Sequence, residues 1–290
     1  MQIGVVFPQT EIGAEVANVR AYGLRVEQLG FAHVLAYDHV LGADPTAHAP
    51  WTGHYDVQST FHEPFVLFGY LAAATSLQLA TCVVILPQRQ TALVAKQAAE
   101  VDLLTGGRFR LGVGLGWNPV EYEALGKDFA DRGARIDEQI GLLRRLWTQP
   151  VVTHAGASER VTAAGLAPLP VQRPIPIWLG GRSGAAYRRI GRLADGWFPQ
   201  VPLPQAPAAL DAIARSAADA GRDPSTIAMD ARVTWTASGV DRLVEDVCRW
   251  RDLGATHISI DTMKAGLIGV EAHLDALAAS ADALGLVRAR

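Results

Sequence analysis

The 290-residue chain lacks the features that mark membrane, disulfide-rich and nucleic-acid-binding proteins. No apolar run is long enough to cross a bilayer. It has only two cysteines, Cys82 and Cys248, and we expect buried thiols in a reducing compartment rather than a disulfide. The formal net charge of −3 is too small to indicate nucleic acid or an acidic membrane surface as a partner. Without a P-loop or zinc-type Cys/His spacing, neither site is expected.

The remaining composition, 49% hydrophobic and 19% charged, is that of an ordinary globular protein with ample core. The sequence enters the apolar segment QIGVVFP directly after Met1, without the charged region and cleavage site of a secretory signal. We therefore expect a cytoplasmic protein. A local cluster of four arginines is interpreted as a solvated helix face: Arg182, Arg188, Arg189 and Arg192.

Strand-like and helix-like segments alternate along the whole chain. The predicted strands are Ile3–Phe7, His33–Tyr37, Leu79–Leu86, Phe109–Val113, Ile175–Leu179, Gly196–Pro199, Ile227–Thr234 and His257–Ile260. The helices that follow them are Val16–Leu29, Pro64–Ser76, Ala92–Leu104, Ile136–Trp147, Gly184–Ala194, Ala206–Gly221, Val240–Leu253 and Gly269–Leu284. Eight βα units predict an α/β fold, a (β/α)8 TIM-type barrel forming a single domain over residues 1–290.

Two connections, at about 40–62 and about 148–174, are too long for ordinary loops and are predicted to be insertions. The first leaves the C-terminal end of a strand, where barrels place their active sites. This segment could cover a pocket, or it could merely pack on the rim of the barrel. Its aromatic and histidine side chains are Trp51, His54, Tyr55 and His62. The second starts from the opposite face, where a small hairpin or a crossing-over segment is plausible.

The glycine pattern after the third helix points to a binding surface. Gly112, Gly114 and Gly116 alternate along a strand and would leave one face without side chains. A flat molecule can lie against such bare backbone, although tight helix-to-strand packing explains the pattern equally well. A dinucleotide fingerprint is rejected because its third glycine position is occupied by Trp117 and the run lies well inside the chain.

Two further segments lie where a barrel carries its chemistry. Asp38 and His39 end the second strand, where barrels place catalytic residues. The alternative is that Asp38 caps the following turn and the His39 ring fills space. Gly180, Gly181, Arg182 and Ser183 stand between a strand and a helix, where backbone N–H groups attract phosphate. An ordinary left-handed turn with a serine cap is the alternative for that loop.

The segment FVLFGYLAAATS, within the predicted helix Pro64–Ser76, carries apolar side chains in nearly every direction. Such a helix needs cover on more than one side, and the barrel supplies only one. We therefore expect a homodimer through this helix.

Several segments together resemble the bacterial luciferase-like flavin and deazaflavin oxidoreductases. They are IGVVFPQ at 3–9, AYDH at 36–39, most of 79–117, GGRFRLGVGLGWNPVEYEALG from residue 106, IWLGGRS at 177–183 and ADGWFP at 194–199. The resemblance implies a (β/α)8 barrel with insertions, often dimeric, with a flavin-like ring at its mouth. On overall similarity the chain looks closest to the branch that uses the deazaflavin coenzyme F-420.

The resemblance also implies roles for individual residues. Asp38 would approach the cofactor, and His39 would transfer a proton at the substrate. The peptide bond between Cys82 and Val83 would be cis and form a bulge behind the cofactor ring. The glycine strand would also position the ring, through Gly114, Leu115 and Gly116. The loop Gly180–Ser183 would hold the cofactor phosphate.

The phosphate assignment leaves an alternative open. Barrels generally bind phosphate after strands seven and eight, whereas Gly180–Ser183 follows strand five. Thr236, Asp261 and Lys264 near the last strands are therefore further candidates.

One departure from the family limits the substrate. The family's sugar-phosphate dehydrogenase has a glutamate proton donor just after the glycine strand, where this chain has Trp117. Trp51, Tyr55 and Trp117 would instead shape a pocket for an apolar or aromatic small molecule. We expect hydride transfer between coenzyme F-420 and such a substrate. The alternatives are an FMN-dependent monooxygenase and a non-catalytic flavin-binding protein.

Overall fold

The predicted strands form a sheet that closes on itself. In the computed structural model, which describes residues 1–287, the strands are β1 (Gln2–Val6), β2 (His33–Ala36), β3 (Gln78–Thr81), β4 (Val84–Ile85), β5 (Phe109–Gly114), β6 (Val152–Ala155), β7 (Arg160–Ala164), β8 (Ile177–Gly181), β9 (Gly196–Pro199), β10 (Ala228–Thr234) and β11 (His257–Asp261). The main sheet has the order β3-β2-β1-β11-β10-β9-β8-β5-β4, with every pairing parallel. Pairing of β3 with β5, Leu79 opposite Phe109, closes the sheet. Because β3 and β4 share one position, this is the predicted eight-position α/β barrel.

Helices between the strands cover the outside of the barrel. They are α1 (Val16–Gln28), α2 (Pro64–Ala74), α3 (Thr91–Thr105), α4 (Pro119–Ala124), α5 (Arg132–Thr148), α6 (Gly184–Leu193), α7 (Ala206–Asp219), α8 (Val240–Asp252) and α9 (Gly269–Ala283). All eight predicted helices are present within a few residues of their expected ends. Helix α4 was not predicted, since six residues are too few to show a helical period. No helix within residues 1–287 is long and apolar enough to cross a membrane.

The predicted strand Leu79–Leu86 is wrong as a single element. It divides into β3 and β4 at Cys82 and Val83, whose peptide bond is cis as the resemblance implied. A short 3₁₀ turn over Leu86–Gln88 follows β4. Periodicity alone could not reveal this division, because the segment is apolar throughout.

The lower half of the barrel holds a buried charge network. The Asp230 carboxylate accepts hydrogen bonds from Arg110 (3.1 Å) and Ser259 (2.8 Å) and lies 3.2 Å from His33 Nε2. Burial opposes ionisation, but His33, Arg110 and Ser259 hold the pKa of Asp230 well below its usual range. These residues lie in the first half of their strands, on the side of a barrel that serves stability.

The two insertions differ in structure. Segment 40–62 forms turns and bends but contains no helix or strand, whereas 148–174 contains the antiparallel hairpin of β6 and β7. The prediction of a small hairpin is therefore confirmed.

Cys82 and Cys248 are free thiols, as expected, but both are half-buried rather than fully buried. Removal from water raises the pKa of the Cys82 thiol to about 12, so this side chain is neutral at physiological pH.

Helix α2 presents two different faces. Leu67, Phe68 and Leu71 are buried against the rest of the barrel. On the other side Val66 and Tyr70 are 73% and 37% exposed. The helix thus leaves apolar surface uncovered within this chain.

Candidate functional site

A cavity of about 720 Å³ opens at the carboxyl ends of the barrel strands, within the size range of small-molecule sites. It is lined by most of the residues that the sequence assigned to the site: Asp38, His39, Tyr55, Cys82, Val83, Gly114, Leu115, Gly116, Trp117, Gly180, Gly181, Arg182 and Ser183. Trp51 lies outside the lining. Residues from opposite ends of the chain thus meet at one opening because parallel strands end at the same rim.

His39 is held by a buried carboxylate that sequence reasoning missed. Its Nδ1 lies 3.3 Å from Oε2 of Glu121, which is 1% exposed. The same carboxylate accepts hydrogen bonds from the backbone amides of Val40 and Leu41 and from Gln88 Nε2 at 3.4 Å. His39 Nε2 makes no hydrogen bond to any residue in 1–287. The ring is therefore anchored through one nitrogen while the other remains available.

Glu121 is ionised in this setting. Burial raises its pKa, but the hydrogen bonds from His39, Val40 and Leu41 together lower it below the usual range. An ionised Glu121 can only accept, so Nδ1 of His39 carries the proton in this pair. Neutral His39 then has an unprotonated Nε2, which is the form of histidine that can take up a proton.

Asp38 faces inward and is fully engaged. Its carboxylate accepts a hydrogen bond from the backbone amide of Ile85 (3.1 Å) and one from Arg89 (2.7 Å). Burial raises the pKa of Asp38, and Arg89 and the Ile85 amide oppose that rise. Arg89 also bonds to Glu63, the N-cap of α2. Asp38 therefore ties β4 and the start of α3 to the end of β2.

The expectation of a bare glycine face on β5 is wrong in detail. A Cβ on Gly112 would lie 1.8 Å from the carbonyl oxygen of Thr81. On Gly114 and Gly116 it would lie 2.5 Å from Val83 and 2.7 Å from Ile85 side-chain atoms. The glycines thus admit the β3–β4 segment, so the close packing is of strand against strand and not the helix-to-strand packing that was the alternative. Val83 and Ile85 line this wall of the cavity together with Gly114, Leu115 and Gly116.

Gly180 and Gly181 are the last two residues of β8, the fifth position of the barrel, so only Arg182 and Ser183 lie between the strand and α6, where all four residues were predicted. Ser183 caps that helix by accepting a hydrogen bond from the Ala186 amide at 3.2 Å. The serine cap is therefore present, and it is compatible with phosphate binding at the same helix start. Of the other phosphate candidates only Lys264 lines the cavity, whereas Thr236 and Asp261 do not.

Aromatic side chains from the first insertion and from the segment after β5 pack against His39. The rings of Tyr55 and Trp117 lie 5.1 Å and 5.6 Å from the His39 ring, and Phe61 lies 4.8 Å from it. Trp51 packs on Trp117 at 5.7 Å. Trp51 thus supports the aromatic wall from behind, while Tyr55 and Trp117 form its surface.

A cationic side chain that lines the cavity, Arg232, was also missed. Arg232 donates to the Tyr37 hydroxyl (2.7 Å), which donates to Asp261 (3.0 Å). The neighbouring Tyr37 and Asp261 raise the pKa of Arg232, so its charge is permanent. A charged residue near the carboxyl end of strand β10 was the available signal for Arg232.

A family model described as luciferase-like monooxygenase matches residues 1–250. With its closed barrel and cavity at the strand ends, the chain belongs to this family.

Two curated relatives are similar to about half of the chain. An uncharacterized protein of Mycobacterium tuberculosis is 45% identical over 139 residues, 48% of this chain and 48% of that protein. The FMNH(2)-dependent dimethylsulfone monooxygenase of Pseudomonas fluorescens is 36% identical over 142 residues, 48% of this chain and 39% of that protein. The chain thus spans about half, or less, of the length of these relatives.

Among solved structures, an F420-dependent secondary alcohol dehydrogenase in complex with an F420-acetone adduct superposes with a TM-score of 0.78. The likeness covers 96% of this chain and 98% of that chain at 16% identity. At this identity it supports the shared fold alone.

Proposed function

We propose that the protein transfers a hydride between the deazaflavin coenzyme F-420 and a small organic substrate. The carrying observation is that one cavity brings together the anchored His39, the wall of Val83 and Ile85, and the loop Gly180–Ser183. An oxidoreductase function fits the family. The choice of coenzyme F-420 rests on the resemblance of the sequence motifs to that branch.

The residues present fit a flavin-like cofactor. Val83, Ile85 and the backbone of Gly114–Gly116 would bound its ring, and the cavity volume of about 720 Å³ suits a ligand of that size. The start of α6, with Arg182 beside it, would hold its phosphate. When bound, the deazaflavin supplies the hydride chemistry that no amino-acid side chain provides.

His39 would move the substrate proton through Nε2. Glu121 fixes the ring orientation and keeps a proton on Nδ1, so that unprotonated Nε2 can take the proton of an alcohol. In the reverse direction the doubly protonated ring, balanced by the Glu121 carboxylate, would give its Nε2 proton to the carbonyl oxygen that receives the hydride. Asp38 acts as a positioning residue, because its carboxylate is occupied by Ile85 and Arg89.

The substrate would lie against Tyr55 and Trp117, with Trp51 behind them. Aromatic walls of this kind favour apolar or aromatic molecules and exclude water from the reacting atoms. Segment 40–62 would act as the lid that carries Tyr55 into place.

Two wider expectations remain proposals. Helix α2 would form a homodimer interface, supported by the exposed Val66 and Tyr70. The protein would act in the cytoplasm as a single domain over residues 1–290.

The second candidate is an FMN-dependent monooxygenase, favoured by the 36% identity to the FMNH(2)-dependent dimethylsulfone monooxygenase. Reduced FMN activates oxygen readily and a deazaflavin does not, so the two functions differ in their need for oxygen.

The test is anaerobic turnover of the wild-type protein with reduced coenzyme F-420 and a panel of aromatic and aliphatic ketones and aldehydes. We expect oxidation of the coenzyme by at least one acceptor without oxygen. Activity only with reduced FMN and oxygen would favour the monooxygenase. Tight cofactor binding with no turnover under either condition would favour a non-catalytic flavin-binding protein.

A further inference from the structure

A second cavity adjoins the first on the outside of the barrel. It has a volume of about 420 Å³, lies between α6 and α7, and is lined by Arg188, Arg189, Arg192 and Asp219 among others. Arg189 also lines the barrel-mouth cavity, so one side chain borders both spaces. We name this second cavity the arginine groove; it adjoins the site described above at Arg189.

The groove carries an excess of positive charge. Arg189 and Arg192 share the carboxylate of Asp137, to which Arg192 donates at 2.7 Å. The side chains of Arg182 and Arg188 form no hydrogen bond or ion pair with any residue in the described range 1–287. The three arginines that line the groove thus outnumber the nearby carboxylates, those of Asp137 and Asp219.

The two unpaired arginines lie in or beside the Gly180–Ser183 loop: Arg182 lines the barrel-mouth cavity and Arg188 lines the groove. Arg182 belongs to that loop, and Arg188 Nη1 lies 3.6 Å from the position a Cβ would take on Gly184, the first residue of α6. The positive charges therefore begin at the proposed phosphate position and continue along α6. A merely solvated helix face, the expectation from sequence, does not explain why the unpaired members lie at the loop.

We propose that the arginine groove binds an anionic tail of the cofactor, the chain of glutamyl carboxylates that extends beyond the phosphate of coenzyme F-420. This inference rests on the proposed function. A flexible polycarboxylate leaving the phosphate loop would pass Arg182 and Arg188 first and then reach Arg189 and Arg192. FMN ends at its phosphate and has nothing to place there, so the groove would also favour the deazaflavin.

The experiment compares two forms of the same coenzyme by fluorescence titration of the full chain. One form carries several glutamates and the other ends after the phosphate-linked lactyl group. Exposed ion pairs are each worth a few tenths to one kcal/mol, so two unpaired arginines predict roughly fivefold tighter binding of the tailed form at low salt. That advantage should fall to less than about twofold near 0.5 M salt, where surface charges are screened.

A matched pair of variants locates the effect. We expect Arg188→Gln to weaken binding of the tailed form by about threefold and to leave the tail-free form unchanged. Arg20→Gln, which removes an exposed arginine on α1, should change neither. Equal affinity of the two forms for wild-type protein would overturn the tail site and leave the proposed function standing. Failure of both forms to bind would overturn the proposed function itself.

Discussion

Glu121 is the buried carboxylate on which the proposed proton-transfer site depends, and Glu121→Gln is the most informative substitution. Its four neighbouring donors come from His39, Val40, Leu41 and Gln88. A glutamine of the same shape can accept from some of these donors, but its NH₂ group would meet another donor. At least one buried donor then loses its partner.

Two effects should follow from this change. Hydrogen bonds to a buried charged group contribute about 1.5–3 kcal/mol each. Because glutamine retains part of this stabilisation, we expect the substitution to lower the free energy of unfolding by about 1–3 kcal/mol. Turnover should fall by about tenfold or more, because His39 loses the acceptor that fixes its orientation and tautomer. Cofactor affinity should change little.

The stability effect should depend on pH in a definite direction. The folded-state pKa of Glu121 is lowered, so its contribution is complete above the unfolded-state pKa of about 4.3 and is lost as pH falls through the folded value. The gap in unfolding free energy between wild type and Glu121→Gln should thus be largest near neutrality and shrink below about pH 4.

Urea denaturation at several pH values and steady-state kinetics measure these effects. The control is Glu123→Gln, an exposed glutamate two residues further along α4. Equal stability and equal turnover of Glu121→Gln and the control would refute the role of Glu121.

Three other substitutions test other parts of the site and the assembly. His39→Ala should keep cofactor affinity but slow turnover by about a hundredfold or more, typical for loss of a general acid–base group, as measured by titration and steady-state rates. Gly114→Ala should weaken cofactor affinity by about tenfold or more, as measured by titration, because the new Cβ would lie 2.5 Å from Val83 and force that side chain of the cavity wall to shift. Val66→Glu should dissociate the proposed dimer, because it places a charge on the exposed apolar face of α2, as followed by sedimentation velocity.

A specific result would contradict each of these three predictions. Unchanged turnover of His39→Ala would remove that histidine from the mechanism. For the glycine, the control is Gly141→Ala, where a Cβ meets nothing within 4 Å, and equal affinity of the two alanine variants would exclude the Val83 wall. For the interface, a wild-type protein that is monomeric at micromolar concentration would defeat the dimer.

The barrel could be predicted from sequence because each βα unit repeats the same local pattern. Buried parallel strands are apolar, helices are amphipathic, and glycine or proline separates them. The division at Cys82 and Val83 was accessible only through resemblance, because the residues on both sides are equally apolar. The short helix α4 was not predicted because its six residues are too few to show a helical period.

The site was predictable only where its residues lie at strand ends. Asp38, His39 and Gly180–Ser183 follow from position, because one rim collects every carboxyl end. Glu121 is 82 residues from His39 and pairs with it only through the fold. The purpose of Gly114 and Gly116 was likewise ambiguous, because a missing side chain can admit either a ligand or a neighbouring strand. Only the positions of Val83 and Ile85 decided between them.

The most direct test of the central claim is the affinity of the purified protein for coenzyme F-420 measured beside its affinity for FMN. Titration of each cofactor, followed by fluorescence under identical buffer conditions, gives both dissociation constants. We predict that the deazaflavin binds at least about tenfold more tightly, a difference of about 1.4 kcal/mol. Tighter binding of FMN, or no binding of either cofactor, would contradict this account.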